Sequence, residues 1–520
     1  MLIMKKTLII RFSFLLVILL LGIISPLLAQ RVITADAGKI KGPRSEMFTQ
    51  CIGAGRAEEG LRADWQQQLQ LVQQTMHFKY IRFHGLLNDE MHIYTEDADG
   101  KPVYNWQYLD KLYDFLLSVR LKPFVELGFM PPALASGTKT VFWWKGNVTP
   151  PSSYDKWAGL ITALVKHLQE RYGHNEVKTW YFEVWNEPDL GGFFSGTQQE
   201  YFKLYQYTAN AVKSVSPEYR VGGPATARSA WVKPFLNFCN DNKVPLDFVS
   251  THCYNTKSAF DEFGKSKRKL MATNYLYENV NVVRRKIDST VYKGLSLHYT
   301  EFNSSPSSHD PIHDTYQNAA YILNTLKHVD GVAESMSYWT FTDIFEEAGP
   351  ALTPFHGGFG LLNLQGIKKP TFFAYQFLSE LGKTELANAD SSSIITKDKS
   401  GYQVLLWNLK LPEGIFDEDY FKNNLPAKTD GTINIDLKNI APGKYRIVIY
   451  QTGYQQNDVL SAYHEMGSPF YINPAQETLL KSKATGKPVR SEILQIGKNG
   501  YRTNLATREN DVYFIKLQKL

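Results

Sequence analysis

Hydrophobic and polar positions alternate in two distinct ways along most of the chain. In ADWQQQLQLVQQTM (63–76), Trp65, Leu69 and Val72 follow one another at steps of four and three, which places them on one stripe of a helix. The next segment, KYIRFHG (79–85), is rich in branched and aromatic residues, as strands are. Helical patterns such as WQYLDKLYDFLLSV and YDKWAGLITALVKHLQERYG continue this alternation.

Eight segments have the composition of strands. They are CIGAGR (51–56), KYIRFHG (79–85), KPFVELGF (122–129), WYFEVWNE (180–187), RVGGPA (220–225), DFVSTHCY (247–254), LSLHYTEFN (295–303) and ESMSYWTF (334–341). Eight strands that alternate with helices predict a parallel (β/α)8 TIM barrel, in the α/β class. An open doubly wound sheet is the alternative, but GAGRAEEG (53–60) does not fit its glycine-rich phosphate loop.

The pattern changes after PTFFAYQFLSELG (370–382), which predicts the last helix of the barrel. Strand-like runs such as YQVLLWNLKL, GKYRIVIYQ and NDVYFIKLQ then alternate with turn residues, and no long helical stripe is evident. The sequence therefore predicts a catalytic barrel over 51–382 and a C-terminal β-sandwich over 383–520. The strand-like residues within 30–50 are candidates to complete that sandwich.

The first residues resemble a targeting segment. MLIMKKTLIIR is basic, FSFLLVILLLGIIS is apolar, and PLLAQ supplies a small residue at Ala29. This order is typical of a secretory signal peptide over 1–29, with cleavage near Ala29 and Gln30. It predicts a secreted or periplasmic protein without stable membrane association after cleavage. A retained membrane anchor is the alternative, although the apolar run is short for a full span.

Composition narrows the possible functions. The 57 basic and 51 acidic residues give a net charge of +6 without a long block of one sign. The densest basic cluster, KSKRK (265–269), fits a solvated helix or loop better than a nucleic-acid site. Three cysteines, Cys51, Cys239 and Cys253, are too few for a disulfide framework and match no zinc pattern. We therefore expect no metal, no cofactor and no nucleic-acid partner.

Polar residues at the predicted strand ends are the candidates for chemistry, because the loops that follow the strands of such a barrel converge on one mouth. Glu187 and Glu301 end strongly apolar runs on strands four and seven. A protonated and an ionised carboxyl that face one another across a pocket suit the hydrolysis of a glycosidic bond. Glu126 and Glu183, which lie further inside their strands, are better explained as buried members of ion pairs.

Several longer segments within residues 50–380 are distinctive. They are GAGRAEEGLRADW, KYIRFHGLLNDEM, RLKPFVELGFMPPALASGTKTVFWWKGNVTPP, FEVWNEPDL, PLDFVSTHCY, YTEFNSSPSSHDPIHDT, SYWTFTDIFEE and FHGGFGLLN. Together they cover most of that range and resemble glycoside hydrolase family 39, the group of β-xylosidases and α-L-iduronidases within a large retaining clan of barrels. A sandwich after the barrel is typical of the xylosidase branch.

The resemblance implies a role for each matching residue. Glu187 would be the general acid/base and Glu301 the nucleophile, and burial of Glu187 would favour its protonated form. Arg82 would keep Glu301 ionised, and Asn186 would bind the sugar 2-hydroxyl. The remaining residues implied in substrate binding are His84, His252, Tyr254, Trp339 as a stacking floor, and Glu346 or Glu347.

The resemblance also bears on the sugar. Iduronidases of the family place a lysine two residues after the histidine that matches His252, whereas this chain has Tyr254 there. A neutral pentose fits better, so we expect a retaining exo-acting β-D-xylosidase that acts on xylo-oligosaccharides or xylosides. α-L-Arabinopyranosides, α-L-iduronides and other glycosides stay open, as does a homo-oligomer.

Two hypotheses come from other classes of protein. A non-catalytic sugar-binding barrel should lack one of the two carboxylates, yet both are present. A metal-dependent barrel hydrolase that uses His84, His252, His298 and His356 would usually include a close pair of histidines on one strand, and no H-x-H occurs.

Overall fold

The computed structural model describes residues 31–260 and 265–520. Eight parallel strands close into a barrel, and the chain returns through a helix after each strand. The barrel strands, numbered one to eight below, are Cys51–Arg56, Tyr80–His84, Lys122–Leu127, Tyr181–Val184, Arg220–Thr226, Phe248–Tyr254, Leu297–Asn303 and Ser335–Tyr338. The main helices that follow them are Ala63–Met76, Gln107–Ser118, Tyr154–Tyr172, Gln198–Val215, Val232–Asp241, Tyr275–Asp288, Tyr316–Val329 and Pro370–Ser379. The predicted (β/α)8 barrel is confirmed.

The helix after strand one shows why the pattern predicted it so well. It spans Ala63–Met76, and Trp65, Leu69, Val72 and Met76 are all buried against the barrel. His77 then adopts a left-handed conformation with φ of 57°, which ends the helix. The apolar stripe therefore determines both the helix and the face that it turns to the core.

Strand four is shorter than its sequence predicts. The apolar run indicated a strand over 180–187, whereas the strand in the structure is Tyr181–Val184. Trp185 and Glu187 have φ of 73° and 44°, so the chain leaves the extended conformation at Trp185. Positive φ is uncommon for residues with a side chain and marks a backbone held by its surroundings. The change brings Glu187 to the mouth of the barrel on a turn and not on a strand.

Two sheets follow the barrel and receive both N-terminal strands. In order, the seven-stranded sheet contains Ile40–Pro43, Thr384–Leu386, Ser393–Asp398, Gly401–Trp407, Val512–Lys519, Gly443–Thr452 and Arg490–Ile496, and the three-stranded sheet contains Arg31–Asp36, Thr429–Lys438 and Tyr501–Arg508. Ile33, Ile435 and Ile447 belong to one apolar core shared by the sheets. The sandwich also contains the helices Asp417–Phe421, Val459–Glu465 and Pro474–Lys483, which the sequence did not indicate.

The sandwich packs on the last helix of the barrel. Phe377 of Pro370–Ser379 stacks on Phe514 with ring centroids 5.3 Å apart, and Trp407 is buried in the same apolar cluster as the barrel helices. Burial of large aromatic rings is among the stronger sources of packing energy. The barrel and the sandwich therefore share a continuous core.

The basic cluster KSKRK lies in a hairpin and not in the expected helix or loop. Ser266–Leu270 pairs antiparallel with Thr256–Phe260. Lys267 Nζ lies 2.7 Å from an oxygen of Asp419, and Arg268 Nη2 lies 3.0 Å from Glu418 Oε1. The cluster is thus paired with acidic residues of the sandwich. Two further hairpins lie in the loops of the barrel, Tyr94–Glu96 with Pro102–Tyr104 and Thr140–Val141 with Gly146–Asn147.

The targeting segment predicted over 1–29 lies outside the described residues. Within 31–260 and 265–520, we find no helix that is both long and apolar enough to span a membrane.

Candidate active site

Glu187 is held at the mouth of the barrel by the turn that follows strand four. Its N–H donates to the carbonyl oxygen of Ala225 at 2.8 Å, which ties the turn to the end of strand five. Pro188 follows directly and restricts the backbone of the glutamate. The side chain is buried, and burial raises the pKa of Glu187 to about 7. This carboxyl can therefore carry a proton near neutral pH.

Glu301 lies on strand seven next to an irregularity in the ladder. Thr251 pairs with Tyr299 and His252 pairs with Glu301, so Thr300 is an extra residue without a partner in that ladder. Such a bulge changes the direction of the side chains around it. Both Thr300 and Glu301 are buried and both contact residues of the barrel interior.

The two carboxyl groups are close enough to act on one sugar. One oxygen of Glu187, one oxygen of Glu301 and one ring nitrogen of His252 all lie within 4.8 Å of one another. Retaining glycosidases hold their two carboxyl groups about 5 to 5.5 Å apart, whereas inverting enzymes leave about 6.5 to 9.5 Å for a water molecule. The spacing fits direct attack by one carboxylate on the sugar.

Arg82 lies at the centre of the site and is fully buried. Its Nη1 donates to Glu301 Oε1 at 2.5 Å, and its Nε donates to Glu183 at 2.8 Å. Its Nη2 lies 2.8 Å from Glu126 Oε2 and donates to Asn186 Oδ1 at 2.9 Å. Glu126 and Glu183 are thus buried members of ion pairs, as their place in the strands predicted. Despite burial, the charge of Arg82 lowers the pKa of Glu183.

His84 adds a second positive charge beside Arg82. Its Nδ1 lies 2.7 Å from Glu126 Oε2, and its Nε2 lies 3.6 Å from oxygens of Glu301 and Glu347. Burial opposes protonation of the ring, but the Glu126 carboxylate outweighs it and raises the pKa of His84 to about 10. His84 is therefore cationic at neutral pH and faces the nucleophile candidate.

Tyr254 and His252 complete the contacts of the carboxyl pair. The Tyr254 hydroxyl donates to Glu301 Oε2 at 2.7 Å. His252 Nδ1 lies 2.9 Å from Glu187 Oε1 and 3.5 Å from Glu301 Oε2. Burial lowers the pKa of His252 to about 4, so its ring is neutral. Each of the two carboxyl groups thus has its own set of partners.

Trp339 lies beside His84 and Arg82 at the end of strand eight. Its ring centroid lies 4.8 Å from that of His84, and Arg82 Cζ lies 5.6 Å from the ring. A Cβ atom on Gly53 would lie 2.5 Å from Trp339 Cε3, so only glycine leaves room for this ring. The Asn303 amide donates to the carbonyl oxygen of Trp339 at 2.6 Å and fixes the backbone there.

The two adjacent glutamates after strand eight have different surroundings. The Glu346 carboxylate accepts hydrogen bonds from Arg62 at 2.7 Å and from Arg56 at 2.9 Å. Glu347 instead approaches His84, and burial raises the pKa of Glu347 to about 7. Of the pair, Glu347 is the one that faces the carboxyl groups of the site.

Some residues near the site were not identified from the sequence. Thr300 contacts both His252 and Glu183, but its position in a bulge cannot be read from an alternating pattern. Phe142 and Trp144, from the loop after strand three, pack beside His84 and Phe129. The aromatic segment VFWW was the signal that could have indicated them.

The histidines of the metal-hydrolase alternative do not converge. His298 packs among Phe124, Tyr181 and Phe248 near the start of the strands, away from the mouth. Within 31–260 and 265–520, the only grouping of ligand-type atoms compatible with one ion is Glu187, His252 and Glu301. The hydrogen bond of 2.9 Å between His252 and Glu187 already engages two of these groups with one another. That the protein needs no metal or cofactor stays a prediction.

The central role of Arg82 predicts a stability effect that depends on pH. Arg82→Met leaves Glu126, Glu183 and Glu301 buried without their shared cation, so the free energy of unfolding should fall by about 3 to 5 kcal/mol. Arg82 lowers the pKa of Glu183, so its stabilisation is present above the unfolded pKa and lost as pH falls. The deficit should therefore be larger at pH 8 than at pH 4, as measured by denaturant unfolding.

The matched control is Arg502→Met. Arg502 is 71% exposed in its ion pair with Asp436 at 3.2 Å, so its replacement should change stability by less than about 1 kcal/mol at either pH. An equal loss in the two variants would contradict the role given to Arg82.

Known proteins with similar sequences and structures carry the same architecture. The model of Glycosyl hydrolases family 39 matches residues 31–503. A beta-xylosidase of Caldicellulosiruptor saccharolyticus is 42% identical over 464 residues, which cover 88% of this chain and 92% of that protein. A beta-xylosidase of Geobacillus stearothermophilus is 47% identical over 374 residues, which cover 70% of this chain and 74% of that protein.

A solved structure agrees with these sequence matches. The crystal structure of a monomeric beta-xylosidase from Caulobacter crescentus CB15 superposes with a TM-score of 0.91 at 39% identity, covering 94% of this chain and 100% of that one. Sequence and structure thus match over the barrel and the sandwich together. The chain therefore belongs to glycosyl hydrolases family 39 and is a glycoside hydrolase.

Proposed function

We propose that the protein is a retaining exo-acting β-D-xylosidase that releases xylose from the non-reducing ends of xylo-oligosaccharides or small xylosides. The observation that carries the proposal is the approach of Glu187 and Glu301 within 4.8 Å at the mouth of a family 39 barrel. The relatives named beta-xylosidase, at 42% and 47% identity, support the choice of sugar.

In the first step, an ionised oxygen of Glu301 attacks the anomeric carbon, and the bond to the leaving oxygen breaks as Glu187 donates its proton to that oxygen. A glycosyl ester on Glu301 results. In the second step, the Glu187 carboxylate takes a proton from water, whose oxygen attacks the same carbon and releases Glu301. Arg82, His84 and Tyr254 contact the carboxyl oxygens of Glu301 and hold the nucleophile in place.

Asn186 is positioned to bind the sugar beside Glu187. Its side-chain oxygen accepts from Arg82 at 2.9 Å, so its amide N–H groups can donate to the 2-hydroxyl. A hydrogen bond to that hydroxyl strengthens as charge develops on the sugar. Trp339 supplies an aromatic wall for the C–H face of the ring, and Glu347 can accept from its hydroxyls.

The charge of the pocket favours a neutral sugar over a uronide. Arg82 and His84 are already engaged with Glu126, Glu183 and Glu301. The Tyr254 hydroxyl donates to Glu301, in the place where a uronide-binding enzyme would need a cation. An α-L-iduronide would therefore bring a further carboxylate into an acidic pocket. A pentose avoids that repulsion because it carries no charge.

The catalytic pair is tested with aryl glycosides. Initial rates on β-xyloside, α-arabinopyranoside, β-glucoside and α-iduronide should show the β-xyloside as the best substrate. Glu301→Ala should reduce turnover to background. Glu187→Ala should lower turnover by about 10²- to 10⁴-fold on substrates with poor leaving groups. On an activated aryl xyloside, whose leaving group needs little proton donation, azide should attack the glycosyl ester and restore activity with release of β-xylosyl azide.

A suitable control is Glu334→Ala, because Glu334 is an exposed carboxylate just before strand eight. It should retain the rate of the unmodified enzyme. Preference for another glycoside would contradict xylose as the sugar released. Turnover that survives Glu301→Ala would contradict the assignment of the catalytic pair.

The proposal also predicts the pH at which kcat/KM falls on the alkaline side of its pH profile, which we call the alkaline limb. The acid must be protonated, and burial raises the pKa of Glu187 to about 7, so kcat/KM should fall as pH rises through about 7. Glu347 also has a pKa of about 7. Glu347→Gln should keep this limb, whereas Glu187→Gln should abolish it on an activated aryl xyloside. Loss of the limb in Glu347→Gln, with the limb retained in Glu187→Gln, would show that Glu347 and not Glu187 is the group that titrates.

We also propose export of the protein, because a basic start, an apolar run and Ala29 precede the barrel. Expression of the full chain in a bacterial host should yield exported protein that begins at Gln30 on N-terminal sequencing. Leu19→Arg, which interrupts the apolar run, should block export. An uncleaved chain in the membrane fraction would instead indicate an anchor.

A further inference from the structure

A chain of buried hydrogen bonds connects the core carboxylate Glu183 to Glu187. Thr300 Oγ1 donates to Glu183 Oε1 at 2.7 Å. The same hydroxyl oxygen lies 3.1 Å from His252 Nε2, and His252 Nδ1 lies 2.9 Å from Glu187 Oε1. The four side chains are buried, so water does not compete for these contacts.

The direction of each hydrogen bond follows from Glu183, because an ionised carboxylate has no proton to donate. Glu183 is held ionised by Arg82 at 2.8 Å, so it can only accept. Thr300 has a single hydrogen to donate, and Glu183 takes it. The hydroxyl can therefore only accept from His252, which places the imidazole proton on Nε2. Nδ1 then carries a lone pair directed at Glu187.

We infer that Thr300 is a positioning residue that holds His252 in the Nε2-protonated tautomer, so that Nδ1 accepts a hydrogen bond from the protonated carboxyl of Glu187 and stabilises this acid in its protonated form. This inference rests on the acid role proposed for Glu187. Once Glu187 has lost its proton, the lone pair on Nδ1 faces a carboxylate, and that repulsion favours recovery of the proton from water in the second step.

The bulge in strand seven makes this arrangement possible. In a regular strand, Thr300 and Glu301 would point to opposite faces. Because Thr300 is the extra residue between two paired positions, its hydroxyl reaches His252 while Glu301 Oε1 still reaches Arg82. Strand seven thus carries both Glu301, the nucleophile candidate, and Thr300, the residue that fixes the tautomer of His252.

Other charged groups also face Glu187 and His252 and help to set the protonation of this pair. They are Arg82, His84, Glu126, Glu183, Asp189, Arg228, Tyr254, Glu301 and Glu347. Thr300→Val replaces none of these residues and keeps the shape of the side chain, but it also removes the hydrogen bond that Glu183 accepts. A shift in the variant therefore reports the loss of both contacts of the hydroxyl, and Thr300→Ser, which can keep both, is the control.

The first experiment measures the pH dependence of kcat/KM on a xyloside with a poor leaving group. Without the hydroxyl, His252 can move its proton to Nδ1 and donate to the Glu187 carboxylate, which favours ionisation. Thr300→Val should therefore move the alkaline limb down by about one pH unit, the effect of one hydrogen bond. Thr300→Ser retains the hydroxyl and should return the limb to the position found for threonine.

An alkaline limb that does not move in Thr300→Val would overturn the inference. An equal shift in Thr300→Val and Thr300→Ser would do so as well, because it would indicate a packing effect. Thermal melting of both variants shows whether each is folded at the pH of the assay.

The second experiment needs no turnover. Nitrogen-15 NMR of the histidine-labelled full chain distinguishes a protonated from a bare ring nitrogen, and comparison with His252→Gln assigns the signal. The inference requires a bare Nδ1 and a protonated Nε2 for His252. A protonated Nδ1 in the unmodified protein would overturn it, even where Thr300→Val fails to fold. Absence of xyloside turnover alone would contradict the proposed function. The NMR result would still test the tautomer of His252, because it does not depend on turnover.

Discussion

The ion pairs of Arg82 with three buried carboxylates are the interaction on which the site depends. A buried carboxylate without a partner would take up a proton, whereas Glu126, Glu183 and Glu301 share one guanidinium whose planar N–H groups reach all of them. With His84 also cationic, two positive charges face three negative ones. Burial disfavours ionisation of a fourth carboxyl, Glu187, and outweighs the opposite effect of the positive charges of His84 and Arg82. The different roles proposed for Glu187 and Glu301 thus follow from the burial of the first and from the direct contact of Arg82 with the second.

Regular barrel geometry alone does not produce this arrangement. Glu187 reaches the mouth because the chain leaves strand four at Trp185, with positive φ at both residues. Glu301 shares its strand with an inward-facing Thr300 because the ladder slips by one residue beside it. Each departure costs some backbone stability, and each is tied down locally, by the Ala225 carbonyl and by the partners of Arg82. The regular strands set the distances across the barrel. The turn at Trp185 and the bulge at Thr300 set the directions of the side chains of Glu187 and Glu301.

The barrel could be predicted from the sequence because its strands are short apolar runs, buried on both faces, that alternate with segments of helical periodicity. The stripe of Ala63–Met76 is an example, and Glu301 could be located because an apolar run ends there. What escaped prediction depends on contacts between distant residues. Glu346 and Glu347 are adjacent in the chain, yet only the positions of Arg56 and His84 separate their roles. The hairpin at KSKRK likewise needs acidic partners from the sandwich, about 150 residues later.

The sandwich contributes to the site through the segment that follows strand eight. This segment begins at Trp339, whose carbonyl is held by Asn303, and it ends at Lys369, whose ammonium lies 2.6 Å from both Asp314 and Asp343. The helix that starts directly after Lys369 packs on the sandwich through the ring of Phe377. The long loop that carries Glu347 is therefore fixed at both ends, and at the second end by a helix that the sandwich supports. The sandwich can in this way help to fix the loop that carries Glu347.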